Sequence, residues 1–144
     1  MEAGLRWITV LLILSFSFPA YSADSSSSRL ISVEHAIHDL QSAQLNEQRR
    51  VLVRVPSSYS QSNQLYPVVY LLDGGGPYIT QVPGIIDTLT ETGNTPEMIL
   101  ISIPNIDRRR DFTPTHFPNW PTTGGAENFL NFIEKELIPY IDSN

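Results

Sequence analysis

The chain has 144 residues, of which 41% are hydrophobic and 17% are charged, which suits one small domain or part of a larger one. Its formal net charge of −6 argues against nucleic acids and anionic membranes as partners. It has no cysteine, which excludes disulfides, thiolate zinc sites, cysteine nucleophiles and lipid attached to cysteine.

The first 22 residues are typical of a cleavable secretory signal peptide. An apolar run at 7–18 is followed by the triplet Ala-Tyr-Ser at 20–22, which places small residues where a signal peptidase cleaves. The run is shorter than the roughly 20 residues that a membrane span requires, so we expect export to the periplasm or the medium. Residues 23–34, with four consecutive serines, are expected to form a flexible spacer, which leaves 35–144 as the domain.

Two strands are predicted at the start of this domain. Residues 32–40 alternate loosely, as in an edge strand, and residues 50–55 alternate cleanly between valines and other side chains. The polar segment 44–48 between them predicts a hairpin. A third strand follows at 68–72, where an unbroken apolar run favours burial on both faces of a parallel sheet.

The rest of the chain alternates helices with strands. Apolar spacing of three and four predicts a helix over 78–92 and another over 126–138, the latter ended by Pro139. Between them lie a second buried strand at 98–103 and a long polar loop at 105–123, of the length that often carries function. The order of hairpin, strand, helix, strand and helix predicts an α/β fold with a parallel sheet.

Three consecutive glycines, Gly74 to Gly76, follow Asp73 at the carboxyl end of the third strand. In open α/β sheets ligands bind at that edge. A phosphate loop would need Lys-Ser/Thr after the glycines, and a dinucleotide site would need G-x-G-x-x-G, and neither is present. Two interpretations stay open: a turn without chemistry, and a loop whose N–H groups form part of the oxyanion hole of a serine hydrolase.

The chain lacks the nucleophile motif G-x-S-x-G of such hydrolases. Its three histidines, His35, His38 and His116, are better explained as surface or hydrogen-bonded structural residues, and the scattered acidic and histidine side chains predict no metal site. The charge cluster at 107–111 suggests either a solvated loop with internal ion pairs or an arginine presented to an anionic or catecholate-like substrate.

Four segments together resemble the serine esterase family of the esterase D type. Residues 36–59 resemble its opening hairpin, 68–76 its third strand and oxyanion loop, and 124–141 the helix before its nucleophile strand. Residues 96–115, reading PEMILISIPNIDRRRDFTPT, are similar to the subgroup of siderophore-type esterases. The resemblance implies an α/β hydrolase that cleaves carboxylic esters, such as feruloyl, formylthio or siderophore esters, without a metal or organic cofactor.

The same resemblance implies that the catalytic triad follows Asn144, so we expect no catalytic residue in this chain. It assigns the oxyanion hole to the N–H groups of Gly74 and Gly75. It also implies a substrate-side loop, whose candidate residues are Asp73, Asn105, Arg108 and Thr113.

The expected domain is therefore the N-terminal part of an α/β-hydrolase sheet without its nucleophile strand. In that fold the missing strand pairs with residues 68–72, so we expect an open edge there that promotes aggregation. The function expected is that of an N-terminal fragment of an exported ester hydrolase acting on small-molecule esters. The alternative is a secreted α/β protein that binds a ligand or partner without catalysis.

Overall fold

The structure is a computed structural model that describes residues 35–144, so the predicted signal peptide and spacer lie outside the described residues. The described part contains four strands and four α-helices: β1 Ala36–Ser42, β2 Glu47–Arg54, β3 Val68–Leu72, α1 Tyr78–Glu91, β4 Ile99–Ile103, α2 Arg108–Phe112, α3 Ala126–Phe132 and α4 Ile138–Ser143. A 3-10 turn lies at Tyr59–Gln61, and a π turn at Ile133–Leu137 joins α3 to α4.

The four strands form one mixed sheet in the order β1-β2-β4-β3. β1 and β2 pair antiparallel as a hairpin, β2 and β4 pair antiparallel, and β3 and β4 pair parallel. β3, α1 and β4 thus form the strand–helix–strand unit that the alternating pattern predicts, in which α1 connects the two parallel strands. The predicted α/β class is confirmed, and so is the order of hairpin, strand, helix, strand and helix, except that the segment 105–123, predicted as a loop, contains the short helix α2.

The hairpin turn is held by side chains as well as by the strands. Asn46 adopts a left-handed backbone with φ 52°, a conformation that asparagine tolerates better than most residues. The Ser42 hydroxyl accepts the Leu45 N–H at 3.0 Å. Oε1 of Glu136, in the π turn, accepts the N–H groups of Ala43 and Gln44 at 3.0 Å each. The turn is therefore anchored to the C-terminal helices.

One face of the sheet packs against α3, the π turn and α4. The core there consists of six buried side chains: Val51, Ile101, Ile103, Phe129, Phe132 and Leu137. Successive strand residues point to opposite faces, so Arg54 faces away from this core, and its guanidinium pairs with Asp87 of α1 at 2.7 Å. The helices thus cover both faces of the sheet.

Burial on both faces was expected for β3, and this is wrong. Val69 is 37% exposed and Leu72 is 45% exposed, whereas four of the five residues of β4 are buried. The reason is position: β3 is an edge strand with β4 as its neighbour, whereas β4 lies between β2 and β3. Among the strands of residues 35–144, β3 lies at the predicted open edge, and aggregation through it stays a prediction.

The sequence predicts that the last helix ends at Pro139, but the helix continues past this residue. The N–H of Ile138 donates to the carbonyl of Ile133, five residues back, and α4 continues to Ser143. A proline inside an α-helix collides with the carbonyl four residues earlier. The wider π turn moves that carbonyl aside, so the helix passes through the proline.

α1 confirms the amphipathic helix predicted over 78–92, with Ile86 buried and Gly93 following its end at φ 72°. At 14 residues it is the longest uninterrupted α-helix among the described residues. In the part of the chain that the structure describes, no helix combines the length and apolarity needed to cross a bilayer.

Candidate functional site

An open cleft of about 550 Å³ lies at the carboxyl ends of β3 and β4, where two parallel strands deliver their following residues to one edge. Its lining includes Asp73, Gly75, Tyr78, Asn105, Ile106 and Arg108. Four of the six residues predicted for the site are therefore brought together. They come from the loop after β3 and the loop after β4, which are more than thirty residues apart in the chain.

Asp73 joins the two loops. Its backbone is left-handed, with φ 56°, a strained conformation for a residue other than glycine. Its carboxylate accepts a hydrogen bond from Nδ2 of Asn105 and one from Nε of Arg108, the latter at 2.6 Å. Because each oxygen has a donor, the carboxylate orients Asn105 and Arg108 at the cleft instead of acting as a free base.

Gly74 is required by the packing beneath the cleft. A Cβ at this position would lie 2.6 Å from the backbone nitrogen of Ile103 and 2.7 Å from Cβ of Ser102. The Gly74 N–H donates to the carbonyl of Ile103 at 3.1 Å, which extends the pairing of β3 with β4 by one residue. This N–H is thus engaged within the sheet.

Gly75 lies in the cleft wall and has more room. A Cβ there would meet Cβ of Pro104 at 3.5 Å, an ordinary van der Waals contact. Its N–H donates to the carbonyl of Asp73 at 2.6 Å, which closes a three-residue γ-turn. A hydrogen bond in such a small ring is bent, so this donor is held less firmly than that of Gly74.

Thr113, also predicted for the substrate-side loop, lies just after α2 and has structural partners. Its hydroxyl donates to the carbonyl of Arg109 at 2.7 Å and accepts the N–H of Gly124 at 2.9 Å. The carbonyl of Thr113 accepts the N–H of Ala126, the first residue of α3. Thr113 therefore ties the end of α2 to the start of α3.

The charge cluster at 107–111 lies mostly in α2, and its residues have different roles. Asp107 is the N-cap of α2, where Oδ1 accepts the N–H of Arg110 at 3.0 Å. Arg110 and Asp111 turn inward, whereas Arg108 lines the cleft and is 70% exposed. The cluster thus contains internal ion pairs and also presents an arginine to the cleft, so each interpretation of the sequence describes part of it.

A buried ionic network behind the cleft was missed by the sequence reasoning. Nη2 of Arg49 donates to Oδ2 of Asp111 at 3.0 Å, and both side chains are fully buried. Glu47 accepts from Arg49 at 2.9 Å and from Arg110 at 2.7 Å, and Arg110 also pairs with Asp111 at 2.8 Å. The alternation of β2 contained a signal for this burial, because Arg49 lies two residues before Val51 and so shares its core-facing side of the strand.

This network fixes α2 against β2. The hydrogen bond from Arg110 is the main reason that the pKa of Glu47 lies below its ordinary value, and burial opposes it. The hydrogen bond to Glu47 in turn raises the pKa of Arg110. The Arg49 guanidinium also lies over the rings of Phe129 and Phe132, at 5.3 and 5.8 Å. The residues that precede and form α2 are thereby held in place at the cleft.

Two of the histidines have structural partners, as expected. Nδ1 of His38 lies 2.7 Å from the hydroxyl of Tyr140, and Nδ1 of His116 lies 3.1 Å from the carbonyl of Thr123. Among residues 35–144 no group of three or more His, Asp or Glu side chains is arranged to hold a metal ion.

Comparison with known proteins gives a consistent result. Residues 42–144 match the family described as "Putative esterase". The structure of an IroE-like serine hydrolase from Shewanella oneidensis is 38% identical, with a TM-score of 0.71 over 76% of this chain and 38% of that one.

Two more relatives are similar at lower identity. A CE1 ferulic acid esterase from Anaeromyces mucronatus, solved with ferulic acid, is 25% identical with a TM-score of 0.58, over 77% of this chain and 43% of that one. The uncharacterized protein YbbA from Bacillus subtilis is 27% identical over 106 residues, which are 67% of this chain and 40% of that protein. The chain spans less than half the length of each relative named here.

Proposed function

The chain belongs to this esterase family, and we propose that it is the N-terminal part of an exported carboxylic-ester hydrolase whose serine, histidine and acidic catalytic residues lie outside residues 1–144. The observation that carries the proposal is the cleft at the ends of β3 and β4, with the Gly75 N–H in its wall. In hydrolases with a serine nucleophile, the loop after the third strand supplies one N–H to the oxyanion hole.

Gly75, rather than Gly74, is the proposed oxyanion donor. The N–H of Gly74 is bonded to the carbonyl of Ile103 within the sheet, and releasing it would break the last bond between β3 and β4. When the Gly75 N–H donates to a substrate, the only hydrogen bond that it gives up is the bent one of the γ-turn. A charged oxyanion is the stronger acceptor, because a hydrogen bond to an ionised group is about twice as strong as one between neutral groups.

In the proposed reaction, the ester carbonyl lies in the cleft with its oxygen at Gly75. The serine hydroxyl attacks the carbonyl carbon as the histidine takes its proton, and the negative charge develops on the oxygen that Gly75 contacts. The histidine then gives the proton to the leaving alcohol, and water releases the acid in a second, equivalent step. This chain contributes the donor and the cleft wall.

The proposed substrate is an ester with a phenolic or anionic group beside the scissile bond. Arg108 supports this, because it lines the cleft, is 70% exposed and is oriented by Asp73 through its Nε alone. Guanidinium groups bind phenolate and carboxylate oxygens with paired N–H donors. The ferulic acid bound to the Anaeromyces esterase is a phenolic acid of this kind.

Export is proposed from residues 1–22 alone. A secreted protein that has lost about 22 residues, measured by intact mass and N-terminal sequencing, is the expected result. Retention of the full N-terminus in the cytosolic fraction would contradict it.

The first test of the enzyme proposal is to read the coding frame beyond Asn144. We expect a G-x-S-x-G motif within a few dozen residues, followed by an acidic residue and a histidine. A frame without this motif would reject the hydrolase. Saturable ligand binding by the chain would then favour the non-catalytic alternative.

The second test addresses Gly75 in the protein encoded by that longer frame. Gly75→Pro removes the N–H, whereas Gly75→Ala keeps it and has room beside Pro104. With p-nitrophenyl esters, we expect Gly75→Pro to lower kcat by about 10²–10³, the usual effect of losing one oxyanion donor, and Gly75→Ala to keep most of it. Equal losses in both variants, at matched thermal stability, would exclude the Gly75 N–H as the donor.

A further inference from the structure

Asp73 lies between two fixed points of the loop that carries the proposed oxyanion donor. Leu72 before it pairs with Ile103 in the sheet, and the Gly74 N–H after it donates to the carbonyl of the same residue at 3.1 Å. The Gly75 N–H donates to the Asp73 carbonyl at 2.6 Å. The direction of that N–H therefore depends on the backbone of Asp73 and on the single peptide that joins Gly74 to Gly75.

The backbone conformation of Asp73 would by itself favour glycine. Its φ of 56° lies in the left-handed region, which glycine adopts without a steric penalty. Any other residue is strained there, although aspartate is strained less than most. The side-chain contacts of Asp73 therefore have to offset a strain that glycine would not have.

Those contacts reach the loop after β4. One carboxylate oxygen accepts from Nδ2 of Asn105, and the other accepts from Nε of Arg108 at 2.6 Å. The amide of Asn105 can have only this orientation, because a carboxylate accepts hydrogen bonds and Oδ1 of the amide could not donate one. Two donors on two different oxygens fix both the position and the rotation of the carboxylate.

We propose that Asp73 is a positioning residue for the oxyanion donor, because its held carboxylate maintains the left-handed turn from which the Gly75 N–H donates to the oxyanion. This inference rests on the proposed function. Asp73 is held through its side chain and Gly74 through Ile103, so only the peptide between Gly74 and Gly75 has to rotate when a substrate binds. A donor whose surroundings are already fixed loses little conformational entropy on binding.

The charge of Asp73 has no favourable role of its own at an oxyanion. Two negative groups repel each other, and the Arg108 guanidinium, 2.6 Å away, compensates the charge of this carboxylate. Asp73 therefore acts through the Gly75 N–H, which contacts the oxygen on which negative charge develops in the reaction. Loss of the carboxylate should then slow the chemical step more than it weakens substrate binding.

The experiment measures the steady-state kinetics of p-nitrophenyl acetate hydrolysis by the longer protein that we propose. Asp73→Gly permits the left-handed turn and removes the carboxylate. We expect kcat to fall by about 10–10²-fold, because the donor is loosened but not lost, while KM changes by less than about twofold. The double variant Asp73→Asn, Asn105→Asp reverses the direction of the hydrogen bond between the two side chains and still leaves an acceptor for Arg108, so it should recover most of kcat.

Asp87→Asn is the matched control. Asp87 pairs with Arg54 at 2.7 Å, its side chain is 22% exposed against 33% for Asp73, and it does not line the cleft. We expect kcat and KM to stay unchanged in this variant. All variants are compared at temperatures where circular dichroism shows the same folded fraction.

A second measurement is independent of catalysis. NMR relaxation gives the order parameter of the Gly75 N–H, on the chain or, if the chain associates through β3, on the longer protein. We expect a value of about 0.85 in the unaltered protein and below about 0.6 in Asp73→Gly. The order parameter of Gly74 should stay high, because its N–H is bonded within the sheet. Asp87→Asn should change neither value.

Several outcomes would overturn the positioning role and leave the proposed function standing. These are an Asp73→Gly variant that keeps its kcat, one in which the Gly75 N–H stays rigid, and an Asp73, Asn105 exchange that folds stably without recovering kcat. A rise of kcat in Asp73→Gly would do the same, because charge would then govern the rate. Absence of ester hydrolysis by the unaltered longer protein would reject the proposed function, and the positioning role with it, even if the order parameter falls as expected.

Discussion

Replacing Asp111 by asparagine tests whether the buried ionic network holds the cleft together. Asp111 accepts from Arg49 through one oxygen at 3.0 Å and from Arg110 through the other at 2.8 Å, and its side chain is fully buried. Asn keeps the size of the side chain but removes the charge. It also points an amide where one of the two guanidinium groups donates, so Arg49 loses its fully buried counter-charge.

The expected loss follows from these contacts. Breaking a buried ion pair by removing one partner costs about 3–5 kcal/mol. Glu47 still accepts from Arg49 at 2.9 Å, which compensates part of the charge, so we expect a loss near the lower limit, about 3 kcal/mol. With urea m-values of about 1–3 kcal/mol/M, the unfolding midpoint should fall by about 1–3 M.

The assay is reversible urea unfolding followed by far-UV circular dichroism. It is run on the chain at low concentration or, if the chain associates through β3, on the longer protein that we propose. Asp39→Asn is the matched control, because Asp39 pairs with Arg50 on the surface at 2.8 Å, and we expect no resolvable change. The double variant Arg49→Met, Asp111→Leu should recover most of the loss, since a methionine can pack on Phe129 and Phe132 where the guanidinium now lies.

Two results would refute this reasoning. If Asp111→Asn lowers the midpoint no more than Asp39→Asn does, the network is not a buried charge pair in solution. If the double variant is as unstable as the single one, the cost arises from lost packing or hydrogen bonds of Asp111 itself, rather than from an uncompensated Arg49.

Two further predictions concern the glycines and the pH dependence of stability. Gly74→Ala should lower the free energy of unfolding by about 1–3 kcal/mol, because the new Cβ meets the backbone of Ile103 at 2.6 Å. Gly75→Ala should be close to neutral in the same thermal scan. Similar effects of both variants would contradict the steric argument. Arg110 holds the pKa of Glu47 below its ordinary 4.5, so the folded state binds this proton less readily than the unfolded state. The stability from Glu47 is therefore complete above about pH 4.5 and is lost as the pH falls through the folded pKa. In Glu47→Gln, the urea midpoint should depend less on pH between pH 6 and pH 3. An unchanged pH dependence of the midpoint would contradict this role of Glu47.

The elements with strong periodicity were predicted from the sequence. Clean alternation in β2 and the three-and-four spacing of α1 reflect one buried face each, which is a local property of the chain. The site was predictable in the same way to the extent that Asp73, Gly75, Asn105 and Arg108 directly follow or lie near the ends of strands, because parallel strands bring such residues to one edge.

What the sequence did not reveal depends on contacts between distant segments. The apolar run of β3 favoured burial on both faces, and the exposure of Val69 and Leu72 follows instead from the edge position that the family resemblance predicted. The pairing of Arg49 with Asp111 joins residues 62 positions apart. The turn at residues 117–123 had no periodicity to mark it, and its structure depends on the hydroxyl of Thr123, which bridges two backbone groups.

The π turn sets how insertions and deletions can be tolerated in the last helix. Glu136 within it holds the hairpin turn, and Tyr140 beyond it reaches His38 of β1 at 2.7 Å, so the hairpin is attached to this helix at two points. Each residue of an α-helix advances the chain by about 100°. Removing one residue between Glu136 and Tyr140 would leave the first attachment in place and swing the second off the sheet. The number of residues between Glu136 and Tyr140 is therefore constrained by the helical rotation per residue as much as by the side chains that the helix buries.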